Sequence, residues 1–186
     1  MPARKEKGMN EPSCVIGVDP GPESSAYVIW DGERIIGKDN RENKELLSYF
    51  AKWDEQTSSG HYTRGAVLAI EQIRGFGVMA SDGLFDTCWW TGRFFQAFGE
   101  HRTYMVPRKK AAAHICGVGG ISKDQFVREA LIARFGGKDV AVGKKSAPGP
   151  LYGISGHLWP ALAVALTYWD LKDIDKSVQY GTGVPA

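Results

Sequence analysis

Short apolar runs bounded by glycine and proline alternate along this chain with longer amphipathic stretches. The first run, residues 15–18, ends at Asp19 and is followed by Pro20 and Gly21. This pattern predicts a buried strand that ends on a carboxylate, which can face a cleft and bind a metal ion. Aspartate beside proline and glycine is also ordinary turn chemistry, so the motif alone leaves open whether Asp19 is functional or only begins a turn.

Three strands are expected at the start of the chain. The apolar-rich runs 24–30 and 33–38 are separated by Asp31 and Gly32, and Asp-Gly between two such runs is a strong signal for a β-hairpin. From Asn40 the apolar period becomes helical, and this helix is expected to end near Glu55. Residues 66–70 then form another apolar run, which ends at Glu71.

Asp19 and Glu71 therefore occupy equivalent positions, each as the single acid at the end of a buried strand. Adjacent strands in one sheet would bring the two carboxylates together. Such a pair is costly unless a proton or a cation neutralises it. Magnesium and manganese are hard ions that favour oxygen ligands, so the two strands predict a divalent metal site.

Beyond Glu71 the pattern predicts a long helix, a strand, two short helices, a mobile loop and a final helix. Their expected bounds are 79–98, 103–106, 108–116, 122–135, 138–156 and 157–171. The long helix carries an aromatic stripe, which we interpret as core together with a surface for self-association. Pro160 is compatible with the final helix because it falls in the first turn.

Length and composition favour a single domain. The chain has 186 residues, 43% of them apolar, which is typical of globular proteins with a proper core. It has no run of about 20 apolar residues and no apolar signal-peptide core near its start. We expect a cytoplasmic, non-membrane protein with a flexible leader at 1–12, a domain at 13–173 and a flexible tail at 174–186. Its three cysteines suit neither a disulfide framework nor a zinc site, so we expect them to be reduced and mostly buried.

Charge is distributed unevenly along the chain. Residues 107–145 contain nine lysines or arginines and three acids, so this segment carries +6 and the remainder −4. One face can then attract phosphates although the average charge is small, but each of these lysines could equally belong to a solvated helix face. Arg74 and Phe76, just after Glu71, could contact a phosphate and stack on an unpaired base. Phe76 could also fold back onto the core.

His157 lies at the start of the final helix. A neutral histidine is a good ligand for a divalent ion, but a single histidine at a helix end is more often an ordinary surface residue.

Taken together, these motifs resemble the RuvC-like Holliday-junction resolvases of bacteria and their phages, which have the ribonuclease H fold. Gly-Val-Asp-Pro-Gly at 17–21 resembles the first-strand motif of that family, and Ala-Ile-Glu-Gln at 69–72 its second acidic motif. Residues 107–123 resemble its basic segment, and His157 with 161–166 the start of its final helix. The four motifs stand in the family's order and span residues 14–171.

The resemblance implies an α/β fold, a mixed five-stranded sheet with three antiparallel strands first, flanked by helices. It also implies a homodimer that cleaves four-way or other branched DNA junctions by phosphodiester hydrolysis, using Mg²⁺ (or Mn²⁺), with two ions per site. The expected metal-binding and catalytic residues are Asp19, Glu71 and His157. The expected DNA-binding residues are Arg74, Phe76, Lys109, Lys110, Lys123, Lys144 and Lys145.

One position departs from the family pattern. The final helix usually carries a second ligand, an aspartate, three residues after the first, and here that position is Pro160. Either another group completes the metal shell, or the protein binds junctions and cleaves them slowly or not at all. A further alternative is an ATP-using relative of actin and hexokinase, although the chain is short for the duplicated domain of that group.

Overall fold

One mixed sheet of five strands forms the centre of the protein in our computed structural model, which describes residues 12–53, 65–73, 81–117 and 123–171. The strand order is β3-β2-β1-β4-β5. Strands β1 to β3 pair antiparallel, whereas β4 is parallel to β1 and β5 is parallel to β4. The bounds are β1 Val15–Asp19, β2 Ser24–Trp30, β3 Ile35–Glu42, β4 Val67–Gln72 and β5 Thr103–Pro107. This arrangement confirms the predicted fold class.

Helices cover both faces of the sheet. The elements are α1 Asn43–Ala51, α2 Asp82–Phe98, a 3₁₀ turn Glu100–Arg102, α3 Arg108–Cys116, α4 Asp124–Arg134, α5 Lys138–Ala141 and α6 Leu158–Leu171. Helices α1 and α2 pack on one face, while α3, α4 and α6 pack on the other. Among the described residues, no helix has the length and apolar character needed to cross a membrane.

The alternation of side chains along β1 assigns each of its residues to one of these two layers. Ile16 and Val18 are buried in the apolar cluster that includes α1 and α2, whereas Val15 is buried in the cluster that includes α6. Successive side chains of a strand point to opposite faces, so Asp19 shares the face of Val15. The acid at the end of β1 therefore points to the side of the sheet on which α6 lies.

Helix α6 approaches β1 closely at Gly17. A Cβ atom at this position would lie 2.1 Å from the carbonyl oxygen of Ala161 and 2.7 Å from the Cβ of Ala165. Real Cβ atoms do not approach backbone this closely, so glycine is required here for close packing of backbone on backbone. The small residues of α6 and Gly17 together fix the height of the helix above the sheet.

The segment expected to be a mobile loop, 138–156, instead has secondary structure of its own. It forms α5 and a two-strand hairpin, β6 Gly143–Lys144 and β7 Ala147–Pro148. The amide of Leu151 donates to the carbonyl of Ala141 at 2.7 Å, and the Leu151 side chain is fully buried. The abundance of Gly, Pro and Lys suggested a loop, but one buried leucine and its backbone bonds anchor the segment to the core.

Smaller differences concern boundaries and exposure. Strand β3 runs to Glu42, beyond the predicted Lys38. In α2 the aromatic stripe is divided: Phe94 and Phe98 are buried, whereas Phe85 and Trp89 are exposed. Of the cysteines, Cys14 is buried as expected, but Cys88 is exposed. The predicted leader and tail lie in or next to the undescribed termini and remain predictions.

We predict that Gly17→Ala destabilises the protein by about 3 kcal/mol, because the added methyl group would meet the backbone of α6. The measurement is the free energy of unfolding from urea titration. The matched control is Gly92→Ala: Gly92 lies in α2 with open space around it, so there the higher helix propensity of alanine should stabilise by about 0.5–1 kcal/mol. Equal effects at the two positions would contradict the packing argument.

Candidate active site

The two predicted acids lie at the ends of adjacent parallel strands. Gly17 pairs with Ala69 and Val18 with Ile70, so Asp19 and Glu71 follow in the same register on the face that carries α6. Neighbouring strands are about 4.8 Å apart, which makes the two acids close neighbours. Both are largely buried, at 9% and 8% exposure. The predicted pairing of two strand-end carboxylates is what the sheet register produces.

The turn after Asp19 is held by a buried polar network. The side-chain amide of Asn43 donates to the carbonyl of Gly21 at 2.9 Å, and the hydroxyl of Ser25 donates to Oδ1 of Asn43 at 2.6 Å. Ser25 Oγ also accepts from the amide of Gly21 at 3.2 Å. Asn43 and Ser25 are both almost fully buried. This network ties the turn to the start of α1 and so fixes the direction in which β1 delivers Asp19.

His157 lies immediately before α6 and contacts Asp19. Its Nδ1 is 2.8 Å from Oδ2 of Asp19. An ionised carboxylate only accepts hydrogen bonds, so the imidazole Nδ1–H donates. The His157 side chain is 77% exposed while that of Asp19 is 11% exposed. His157 therefore joins a buried acid to the open side of the site, and its role as a metal ligand stays a prediction.

Two further charged residues complete the site, and sequence reasoning did not single them out. Arg108, the first residue of α3, donates from Nη1 to Oε1 of Glu71 at 3.2 Å and from Nη2 to Oδ1 of Asp124. Asp124 is the first residue of α4. A signal for Arg108 existed, because it follows the end of β5, and β5 pairs with β4 at Glu71. Asp124 offered no comparable signal.

Burial raises the pKa of both strand-end acids. The pKa of Glu71 rises from its ordinary 4.5 to about 7, chiefly because burial disfavours its charge and secondly because the charge of Asp19 is near; the charge and hydrogen bond of Arg108 oppose this rise. Burial likewise raises the pKa of Asp19, against the opposing hydrogen bond and charge of His157. Without a metal ion, the burial of both carboxyls thus shifts their titration toward the neutral form.

These residues line one cleft of about 550 Å³. Asp19, Glu71 and His157 contribute to its wall, together with Arg108 and Asp124. Of the predicted DNA-binding lysines, Lys109 lines the cleft. Lys110 lies next to it on α3, and the exposed Lys123 immediately precedes Asp124.

Other predicted DNA-binding residues lie elsewhere. Lys144 and Lys145 are exposed on the β6–β7 hairpin and do not line the cleft. The chain just after that hairpin borders β3, at the opposite edge of the sheet from β5. Arg74 and Phe76 lie outside the described residues.

The donor chemistry of the cleft suits a hard divalent ion, since it offers carboxylate oxygens and one imidazole. Within the described ranges, however, no three Asp, Glu, His or Cys side chains are arranged closely enough to hold an ion as they stand. Arg108 accounts for part of this, because its guanidinium contacts two of the carboxylates. These side chains are of the types that bind a divalent metal ion, but they would have to rearrange to hold one.

The fold and this cleft define a class of structure, the ribonuclease H-like fold with acids at the ends of its first and fourth strands. Among solved structures the chain is similar to Thermus thermophilus RuvC, with 20% identity and a TM-score of 0.57 over 86% of this chain and 96% of that one. It is also similar to T. thermophilus RuvC in complex with a Holliday junction substrate, with 21% identity and a TM-score of 0.53 over 84% and 92%. No protein-family model matches the sequence, and no curated protein matches it. The likeness confirms the RuvC-like fold that the motifs predicted.

The raised pKa of Glu71 predicts a specific pH dependence of stability in the metal-free protein. Between about pH 4.5 and 7, folded Glu71 holds a proton that the unfolded chain has released, so the free energy of unfolding falls as pH rises through this window. Glu71→Gln keeps the shape and removes the titration. We expect the variant to lose most of this decline and to be more stable than the wild type at pH 8, by about 2–3 kcal/mol.

The measurement is urea unfolding in EDTA at pH values from 5 to 8. Glu129→Gln, on the exposed surface of α4, is the matched control and should follow the wild type. Parallel curves for Glu71→Gln and the wild type would contradict the assigned pKa.

Proposed function

We propose that this protein is a metal-dependent endodeoxyribonuclease that cleaves four-way DNA junctions by phosphodiester hydrolysis. The observation that carries the proposal is the cleft itself. Two largely buried acids end adjacent parallel strands, and His157 contacts one of them at 2.8 Å. The fold is that of T. thermophilus RuvC, which has been described with a Holliday junction substrate.

The proposed cofactor is Mg²⁺, with Mn²⁺ as a substitute and two ions per site. Asp19, Glu71 and His157 would hold it. When bound, such ions supply an activated water and neutralise the charge that develops on the phosphate. The buried acids gain from this arrangement, because a cation removes the repulsion and desolvation that raise their pKa values.

The chain's own residues would also help to exclude water and to bind a phosphate. Apolar and proline side chains form part of the cleft wall, so that a phosphodiester entering it would displace solvent from the two acids. The residues concerned are Pro20, Pro22, Ile73, Leu84 and Pro160. Arg108, inside the same cleft, offers a planar guanidinium, which suits the geometry of a phosphate.

The proposed DNA path starts at the cleft and extends beyond it. Lys109 and Lys123 flank the acids and would contact phosphates near the cleavage point, with Lys110 beside them. Lys144 and Lys145 would contact a more distant part of the junction from their hairpin. Arg74 and Phe76 follow Glu71 in the chain and retain their proposed role at the opened crossover.

A homodimer fits this function, because a two-fold protein matches a nearly two-fold junction. The exposed Phe85 and Trp89 of α2 make this helix a reasonable part of the dimer interface. The predicted cytoplasmic location is kept as part of the proposal.

A second candidate is a junction-binding protein with weak or no cleavage. Pro160 favours it, because proline occupies the cleft wall at the position where the RuvC-like resolvases usually carry an aspartate. This alternative predicts a tight gel shift with four-way junctions and no metal-dependent product.

We predict that the protein cleaves a synthetic four-way junction in Mg²⁺ or Mn²⁺, and that Asp19→Asn and Glu71→Gln each lower the cleavage rate at least about a hundredfold. Single-turnover cleavage with labelled strands is the measurement. Glu45→Gln on α1, across the sheet from the cleft, is the control and should cleave normally. Cleavage that survives either site substitution sinks the mechanism, and tight binding without any product favours the second candidate.

We also predict that the double variant Lys109→Ala/Lys123→Ala weakens junction binding and lowers the slope of log Kd against log salt concentration by about 2, since each phosphate contact contributes about 0.9. Fluorescence anisotropy across 50–300 mM salt, in EDTA to prevent cleavage, gives the slope. Lys44→Ala/Lys52→Ala removes the same charge from the opposite side of the sheet and should leave the slope nearly unchanged. Equal loss in both variants would mean that net charge, and not the cleft, governs binding.

A further inference from the structure

Arg108 contacts two carboxylates that belong to different structural elements, a strand and a helix. One arm of the guanidinium donates to Glu71 at the end of β4, and the other donates to Asp124 at the start of α4. A single cation therefore neutralises an acid of the sheet and an acid of a surface helix. This is the position that a divalent ion bound to Glu71 would have to share.

The three side chains in this contact differ in their exposure to solvent. The side chains of Glu71, Arg108 and Asp124 are 10%, 44% and 65% exposed. Ion pairs with an exposed member typically contribute little to stability, because water screens both charges. The link between Arg108 and Asp124 can thus open toward the cleft at small cost, whereas Glu71 requires a positive partner whenever it is ionised.

Asp124 also lies in the part of the site next to Pro160, the position at which the final helix lacks an acid. It lines the main cleft together with His157 and Pro160, and the same three residues also line a second cavity. Pro160 offers no side-chain ligand atom. Asp124 is therefore an acid that reaches the part of the site served by position 160, but from α4 and not from α6.

We propose that Arg108 is an exchangeable counter-ion, which releases Glu71 and Asp124 to a divalent ion, and that Asp124 thereby supplies the acidic ligand missing at position 160. This inference rests on the proposed metal-dependent function. In the metal-free protein Arg108 pairs with both carboxylates and offsets their charge. Once released, its guanidinium remains in the cleft with its charge intact, where a DNA phosphate is a natural bidentate partner.

The two roles of Asp124 can be separated by a double-mutant cycle. In the wild type, Asp124→Asn removes both a metal ligand and the partner of Arg108. In the Arg108→Gln background the second role is absent, so any effect of Asp124→Asn there comes from ligation alone. The probe is Mn²⁺ without DNA, and the measurement is titration calorimetry on the full chain at pH 7.5, with thermal unfolding in EDTA to establish that each variant folds.

We expect Arg108→Gln to bind Mn²⁺ several-fold more tightly than the wild type, because the competing guanidinium is gone. Adding Asp124→Asn in that background should lower the affinity by about tenfold or more. Glu129→Gln, which removes an acid from the same helix outside the cleft, is the matched control and should bind as the wild type does.

Two results would overturn the inference. One is an Mn²⁺ affinity that changes less than twofold when Asp124→Asn is added to Arg108→Gln. The other is weaker Mn²⁺ binding in Arg108→Gln alone, which would make Arg108 a support of the metal site and not its competitor.

Failure of the underlying function gives a different pattern. A folded wild type that binds no Mn²⁺, or binding that Asp19→Asn leaves intact, would contradict the metal-dependent function and the inference together. Binding that is abolished by Asp19→Asn but insensitive to Asp124→Asn in the Arg108→Gln background contradicts only the inference.

Discussion

The close approach of α6 to β1 is the contact on which the rest of the structure depends. Gly17 allows the backbone of the helix, at Ala161 and Ala165, to lie directly against the central strand. Asp19 is two residues further along that strand, on the same face, and His157 immediately precedes the helix. One packing contact therefore sets the core of the protein and brings a helix-start histidine to a strand-end carboxylate 138 residues away in sequence.

The same geometry places two acidic side chains in a largely buried position, where an ionised carboxylate is unfavourable. Two largely buried carboxylates share the edge of the sheet, and burial of a charge is expensive unless it is paired. Each acid has its own partner: His157 contacts Asp19, and Arg108 contacts Glu71. Both partners are partly exposed and come from helix starts. The acids are buried while their partners are exposed, which is the arrangement expected of a binding site rather than of a structural ion pair.

Much of this could be predicted from the sequence because it depends on local periodicity. Apolar runs at β1 and β4, each ending on one acid, predicted the strands, their burial and the pairing of Asp19 with Glu71. The Asp-Gly hairpin and the helix bounds are likewise local features. Arg108 and Asp124 escaped prediction because their roles depend on which strand edge and which helix start meet in space. Asn43 escaped for the same reason: its helix-start position is local information, but its bond to Gly21 is not.

The segment 138–156 illustrates the opposite error, in which local composition misled. Glycine, proline and lysine favour a loop, yet the burial of Leu151 and Ile154 gives this stretch a fixed course over the core. The composition of a segment describes its tendency in isolation. In the folded protein, the burial of two apolar side chains, Leu151 and Ile154, determines its conformation.

Pro160 raises the question of where the fourth ligand, a third acid, is best placed. An aspartate at position 160 would add a third negative charge beside Asp19 and Glu71, on a helix that is itself packed into the core. Asp124 is 65% exposed, so it keeps most of its hydration and costs little to hold in the charged form. It also stands in the first turn of α4, where the helix dipole favours an anion. In the proposed metal site, moving the acid from α6 to α4 would thus replace a ligand on the buried helix with one that becomes available when a cation displaces Arg108.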